Sequence, residues 1–268
     1  MSQQQMTQQQ WDQVYLNVAA QMRLQMMPFV TPLPRRTEDG GGELIGSGSY
    51  VEHACRKFLL TNQHVMQDGL GTLTQKHFDA DDYFFCAPFT SQPWPLDLAA
   101  ARAEPTWGVH DHSAMTFPEH RFAPTHAPVS GELLFLMGFA GSRSYYSPSA
   151  NQMLTHGTPF LSQEFDPVRE GRPITSPDFD PAYHFAIPWQ PAGTQVVEGD
   201  THTVPLSPKG FSGSPVWNTR FMEYSMAGVD WTPGVARLTG IAWAWQPADR
   251  AIFVTRIEHV RNFLASLP

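Results

Sequence analysis

A serine set between glycines, Gly210-Phe211-Ser212-Gly213-Ser214-Pro215, can present a hydroxyl nucleophile on a tight turn. Serine is a weak nucleophile at its own pKa, so it needs an adjacent base, and that base needs a third group to orient it. A base is available in Leu59-Leu60-Thr61-Asn62-Gln63-His64-Val65, where an apolar run leads into a histidine. The third group is available in Pro95-Leu96-Asp97-Leu98-Ala99. Together they could carry acyl transfer to water. Ser212 would attack, His64 would take its proton, Asp97 would fix the imidazole, and the amides of Gly210 and Ser212 would hold the oxyanion. Each residue also has a plainer reading. Ser212 could sit in an ordinary β-turn, His64 is one of 11 histidines, and Asp79, Asp81 and Asp82 lie close to Asp97 in sequence. The order of the three, each in a strand-end context, favours the catalytic reading.

The elements that must position these residues are mostly short strands. Gly 20 and Pro 24 are high for a helical chain of 268 residues and point to many turns. Strands are expected over residues 44–51, 57–61, 83–89 and 95–102, and again at 132–137, 153–157, 183–187, 215–217, 235–245 and 251–254. Residues 103–130 and 162–182 read as loops. Residues 1–27, rich in Gln and Met, differ from the rest. Thr7 and Gln10 form a potential capping box, and Trp11, Val14, Tyr15, Val18, Met22 and Met26 recur at helical spacing on one apolar stripe. That helix either docks on the body or engages a partner. A second helix is expected at the C-terminal end, with Thr255 and Glu258 as its capping box and Ile257, Val260 and Leu264 on one face.

Bulk properties exclude several classes. The formal charge is −8 with no basic run, so neither a nucleic-acid backbone nor an anionic membrane surface is expected as a partner. No apolar run approaches the length of a membrane span. Cys 2 suits a reducing compartment, and the N-terminal stretch lacks the features of a secretory signal, so a cytoplasmic location is expected. His110, Asp111, His112, His120 and His126 lie in a proline-rich loop without ligand spacing, and Cys55 and Cys86 match no redox motif. No metal or cofactor is expected.

The motifs carry a family resemblance. Gly46-Ser47-Gly48-Ser49-Tyr50-Val51 followed by Thr61-Asn62-Gln63-His64-Val65 resembles the first hairpin and histidine segment of trypsin-like (chymotrypsin-fold) serine proteases. The spelling is closest to the bacterial Deg-like branch, in which a G-S-G-x turn precedes a T-N-x-H-V segment, here without that branch's PDZ domain. Residues 95–99 resemble the family's aspartate segment, residues 131–139 the strand that opens its second barrel, residues 210–216 its nucleophile turn, and residues 238–243 the strand lining its cleft. The resemblance covers roughly residues 40–265. It implies an all-β chain of two antiparallel six-stranded β-barrels, with the catalytic groups meeting between them. Residues 1–28 would be an N-terminal helical extension, 29–125 the first barrel, and 126–268 the second barrel with its C-terminal helix.

The same resemblance bounds specificity and regulation. Phe211 stands where zymogen-activated members carry an Asp, so no such activation switch is expected. Ser214 replaces a more usual glycine. A pocket for Lys or Arg would need a carboxylate at the position matching Leu206, beside Ser207, so a basic first-site residue is not expected. Trp243 and Trp245 either line or narrow the pocket, in favour of a small or apolar side chain, or one or both belong to the core. The expected substrate is a protein or peptide. Two alternatives stay open: a catalytically silent protease fold used for binding, and an effector protease regulated by a partner docked through residues 1–27.

Overall fold

The capping box at Thr7 and Gln10 forms. The Gln10 amide donates to Thr7 Oγ1 at 3.3 Å, and the Thr7 amide donates to Gln10 Oε1 at 2.9 Å. This starts α1 (Gln8–Met26), within a computed structural model that describes residues 7–149, 152–189 and 207–268. Among the described residues no helix is long and apolar enough to cross a membrane.

Two six-stranded sheets follow. The first contains β1 (Val30–Arg36), β2 (Gly42–His53) and β3 (Arg56–Thr61). After α2 (Gln63–Asp68) and a small ribbon of β4 (Thr74–Gln75) and β5 (Phe84–Phe85) come β6 (Phe89–Gln92) and β7 (Leu98–Arg102). The order is β1-β2-β3-β7-β6, antiparallel throughout. After α3 (Glu104–Trp107), the short β8 (Phe117–Pro118) joins β2 in parallel. The second sheet has the order β10-β9-β12-β13-β14-β11 and is antiparallel. Its strands are β9 (Leu133–Ser147), β10 (Gln152–Gln163), β11 (His184–Pro188), β12 (Pro215–Asn218), β13 (Arg237–Gln246) and β14 (Ala251–Arg256). Two short helices, α4 (Pro167–Glu170) and α5 (Phe221–Met226), decorate it, and α6 (Ile257–Ala265) ends the chain. The all-β two-sheet architecture with a helix at each end is the one expected.

Both faces of the central strands are buried, which explains their nearly continuous apolar sequences. In β3 and β7, Phe58, Leu60, Leu98 and Ala100 face a core shared with the second sheet, while Leu59, Ala99 and Ala101 face the interior of the first. In β9, Leu133, Phe135 and Met137 join the shared core and Leu134, Leu136 and Ala140 the interior of the second sheet. The period-2 alternation of a strand therefore splits each apolar run between two cores. Val18, Met22 and Met26 of α1 are buried in the shared core, with Trp11, Val14 and Tyr15 packed partly against it. The apolar stripe of this helix thus docks on the body, against β9, β10 and the turn at Pro233–Val235.

Two local expectations are corrected, and one strand is added: residues 30–36, given no element from the sequence, form a strand despite Pro32 and Pro34. The strand lies at the end of the sheet path, and its register shifts at Leu33/Pro34, where missing amide donors are tolerated. The capping box expected at Thr255 and Glu258 does not form: Thr255 belongs to β14, and Arg256 takes the cap position without a side-chain bond. Thr255 Oγ1 instead donates to Leu96 O at 2.9 Å, and Glu258 accepts the His126 amide at 2.9 Å. The G-S-G-x segment is not a turn. Residues 46–49 run through the middle of β2.

Candidate active site

His64 does not hang from the end of β3; it lies in the first turn of α2. A helix start leaves amides without intrahelical partners, and Asp97 takes two of them. The Gln63 amide donates to Asp97 O at 3.3 Å and the His64 amide to Asp97 Oδ1 at 3.1 Å. Asn62 Nδ2 adds a third bond to Asp97 O at 2.8 Å. The remaining carboxylate oxygen, Oδ2, lies 2.6 Å from His64 Nδ1. A carboxylate only accepts, so Nδ1 carries the proton and Nε2 is left as the basic nitrogen. Asp97 itself is buried at 7% exposure, whereas the His64 side chain is 41% exposed on its other side. Asp97 has φ 47, a left-handed conformation that Asp tolerates better than most residues.

Ser212 sits on the turn between the described residue 207 and β12. Gly210 (φ +99) and Gly213 (φ +87) make this turn possible. A Cβ at Gly213 would fall 2.0 Å from Ser47 O, and one at Gly210 would fall 2.5 Å from Phe139 O. Phe211 is buried against Trp189, ring centroids 5.7 Å apart, and so roots the turn in the second sheet's interior. Two hydrogen bonds orient the amides that could bind an oxyanion. The Gly141 amide donates to Lys209 O, and the Ser214 amide donates to Phe211 O, each at 2.9 Å. In a trans peptide the N–H points opposite to the carbonyl. These bonds therefore set the directions of the Gly210 and Ser212 amides. Among the described residues neither amide donates to a protein acceptor.

The first sheet stitches this turn in place through Ser47. Its amide donates to Ser212 O at 2.7 Å and its hydroxyl to Gly210 O at 2.7 Å, while the Phe139 amide donates to Ser47 Oγ at 2.9 Å. Thr61, at the end of β3, donates to Ser47 O at 2.7 Å. Gly46 marks how close the two halves come. A Cβ there would meet Val65 Cγ1 at 2.6 Å and Ser212 O at 3.1 Å, so one missing methyl separates the His64 helix from the serine turn. The Ser212 hydroxyl donates to Trp243 O at 3.3 Å, and no hydrogen bond joins it to His64 in this arrangement.

The expected pocket residues are brought together only in part. Trp243 is the extra residue of a β-bulge between Ala242 and Ala244, and bulges re-aim side chains. Its ring therefore packs with Phe253 and His184, while Trp245 packs on the cluster holding Trp189 and Phe211. Ser207 lines a cavity of about 350 Å³ with Leu44, Gly141, Ser142 and Lys209, beside the serine turn. Leu206 lies outside the described residues.

No family model matches the chain, and no curated protein matches it. Among solved structures it superposes on the active form of the Rv3671c protease from M. tuberculosis. The TM-score is 0.51 at 16% identity, over 93% of this chain and 85% of that one. The fold is that of the chymotrypsin-like proteases. The serine protease domain of the Sesbania mosaic virus polyprotein gives a TM-score of 0.44 at 13% identity, over 87% of this chain and 91% of that one. A structure concerned with the coupled folding and binding of the Sesbania mosaic virus VPg protein gives 0.44 at 14% identity, over 87% and 89%.

Within this chymotrypsin-like fold, His64 and Asp97 come from the first sheet and Ser212 from the second, on either side of Gly46. Among the described residues no three His, Cys, Asp or Glu side chains converge to hold a metal ion. The histidines of the proline-rich loop disperse. His112 stacks on His77 at 4.4 Å, His126 stacks on Phe185 at 3.6 Å, and His110 lies 3.9 Å from Asp82. Sequence reasoning missed Ser47, Thr61, His184 and Thr255 as supports of the site. All four lay inside segments read for other reasons: Ser47 and Thr61 in the hairpin and histidine motifs, His184 in an expected strand, and Thr255 in an expected capping box.

Proposed function

We propose that this chain is a serine endopeptidase that hydrolyses protein or peptide substrates through Ser212, His64 and Asp97. The observation that carries the reading is the 2.6 Å contact of His64 Nδ1 with a buried Asp97, held beside a glycine turn bearing Ser212. The Ser212 hydroxyl attacks the scissile carbonyl carbon as His64 Nε2 takes its proton. The oxyanion lies against the amides of Gly210 and Ser212. The new imidazolium, stabilised by Asp97, returns that proton to the leaving amine, and the amine departs. Water then attacks the acyl-enzyme by the same route, regenerating Ser212. Rotation of the Ser212 hydroxyl from Trp243 O toward His64 precedes attack. Such catalytic hydrogen bonds commonly tighten only with substrate bound.

The T-N-x-H-V segment at residues 61–65 supports a Deg-like variety of this activity. A first-site preference for residues other than Lys or Arg is supported by Asp249, the acidic group on the β13–β14 turn, which is committed to Thr175 and Ser176 through three hydrogen bonds.

A fluorophosphonate probe, read by mass spectrometry, tests the reading together with hydrolysis of fluorescein-labelled casein. Ser212 is expected to be the labelled residue, and Ser212→Ala to abolish labelling and hydrolysis with thermal unfolding unchanged. Hydrolysis that survives in Ser212→Ala rejects the assignment. One observation favours a second reading, a silent protease fold that binds rather than cuts: the Ser212 hydroxyl is bonded to Trp243 O and not to His64. A wild-type protein that neither labels nor hydrolyses would select that reading.

A further inference from the structure

The turn that carries Asp97 belongs to the first sheet, yet it is held from the second. His184 on β11 and Thr255 on β14 are cross-strand partners, and both are fully buried. His184 Nε2 lies 2.7 Å from Pro95 O, and Thr255 Oγ1 donates to Leu96 O at 2.9 Å. The pair thus grips the two carbonyls immediately preceding Asp97.

The partners of His184 fix its protonation. Pro95 O can only accept, so Nε2 carries a hydrogen. The Asp180 amide donates to Nδ1 at 3.1 Å, so Nδ1 is a lone pair. The ring is therefore the neutral Nε2–H tautomer. Burial lowers the pKa of His184 below the ordinary imidazole value. The Pro95 carbonyl and the Asp180 carboxylate oppose that shift, and His259 on α6 and Arg256 at the end of β14 add to it. The ring centroid is 5.0 Å from that of Trp243, whose carbonyl accepts the Ser212 hydroxyl. One buried imidazole thus touches the Asp97 turn on one side and the strand behind Ser212 on the other.

We propose that His184 and Thr255 are positioning residues that set Asp97, and through it the His64 imidazole, against Ser212 across the junction of the two sheets. The inference rests on the serine-protease reading above. A donor at the Nε2 position of residue 184 and a hydroxyl at 255 are what the clamp requires. His184→Phe keeps a ring without a donor, His184→Gln keeps an amide donor at nearly the same position, and Thr255→Val keeps the shape without the hydroxyl.

The test is the rate of Ser212 labelling by the fluorophosphonate probe in the full chain, with fold checked by near-UV circular dichroism. His184→Phe and Thr255→Val are each expected to slow labelling by about 10–100-fold, the scale of a misplaced catalytic group. His184→Gln is expected to restore most of the rate. In an Asp97→Asn background the same two substitutions should change the rate by no more than about twofold, because their effect acts through the Asp97 carboxylate. A purely structural contribution would instead persist in that background. Wild-type labelling in both His184→Phe and Thr255→Val, or full additivity with Asp97→Asn, overturns the proposal. Should His184→Phe fail to fold, Thr255→Val and its cycle with Asp97→Asn decide. Failure of the parent reading is separate, since it shows as hydrolysis surviving in Ser212→Ala or as a wild-type chain that neither labels nor hydrolyses.

Discussion

Ser47 of the first sheet holds the carbonyl of Ser212 in the second, amide to oxygen, at 2.7 Å. The same residue's hydroxyl donates to the Gly210 carbonyl, so two carbonyls of the serine turn are held by one buried residue, one through its main-chain amide and one through its side chain. The relative placement of serine and histidine is therefore not left to loose packing between two sheets. It is written in hydrogen bonds that cross the junction, at Ser47 on one side and at His184 and Thr255 on the other.

Ser47→Ala tests the first of these crossings. It removes the bond to Gly210 O and strips the buried Phe139 amide of its acceptor. An unsatisfied buried donor costs about 1–3 kcal/mol, which denaturant unfolding would measure as a lowered midpoint. Labelling of Ser212 should slow as well, because the turn loses an anchor. A variant with wild-type stability and labelling rate would remove Ser47 from the argument.

Asp97→Asn addresses the imidazole tautomer. The amide can present a donor to His64 Nδ1, which puts the proton on Nε2 and leaves no base facing the serine. By analogy with the triad enzymes of this fold, turnover should fall by roughly 10³–10⁴-fold with little effect on binding of a non-covalent peptide inhibitor. A loss of less than about tenfold in casein hydrolysis would contradict the role assigned to the carboxylate.

Met22→Ala examines the docking of α1. Met22 is fully buried in the shared core, so truncation opens a cavity and is expected to destabilise the chain by about 2–5 kcal/mol. The matching observable is a lower melting temperature for the whole chain. A change under about 0.5 kcal/mol would mean that the helix contributes little to the body.

His77 supplies a pH dependence unrelated to catalysis. Its ring is sandwiched between Tyr50 at 5.1 Å and His112 at 4.4 Å, and Trp107 and Phe84 pack against it edge-on or tilted. Burial, with a smaller contribution from His112, lowers its pKa from 6.5 to about 4. Between those values the unfolded imidazole holds a proton that the folded one refuses. The stabilising contribution is thus complete above pH 6.5 and is lost as pH falls toward about 4. His77→Phe keeps an aromatic ring in the stack and has no proton to bind. The slope of unfolding free energy against pH in that window should fall by up to one proton, about 1.4 kcal/mol per pH unit. An unchanged slope would refute the assignment.

Much of the architecture was legible because its signals are local. The Thr7–Gln10 capping box, the apolar stripe of α1 and the strand runs at residues 57–61 and 132–137 depend on neighbours three or four residues away, or on simple alternation. The failures were local signals overridden by distant partners. Thr255 and Glu258 have the spacing of a capping box, but one belongs to a strand and bonds to Leu96, 159 residues away, and the other accepts the His126 amide. Trp243 and Trp245 share a face in an ideal strand, and a bulge separates them.

The residue order alone names the groups that could do chemistry: a serine in a glycine turn, a histidine after an apolar run, an aspartate ahead of a buried strand. It also shows that Phe211, not an acid, precedes the serine. How these groups are held is a property of the folded chain. Ser47 reaches Gly210 across 163 residues, and His184 reaches Pro95 across 89. Such contacts leave no periodicity in the chain, because their geometry is set by the packing of two sheets rather than by the spacing of residues along either one.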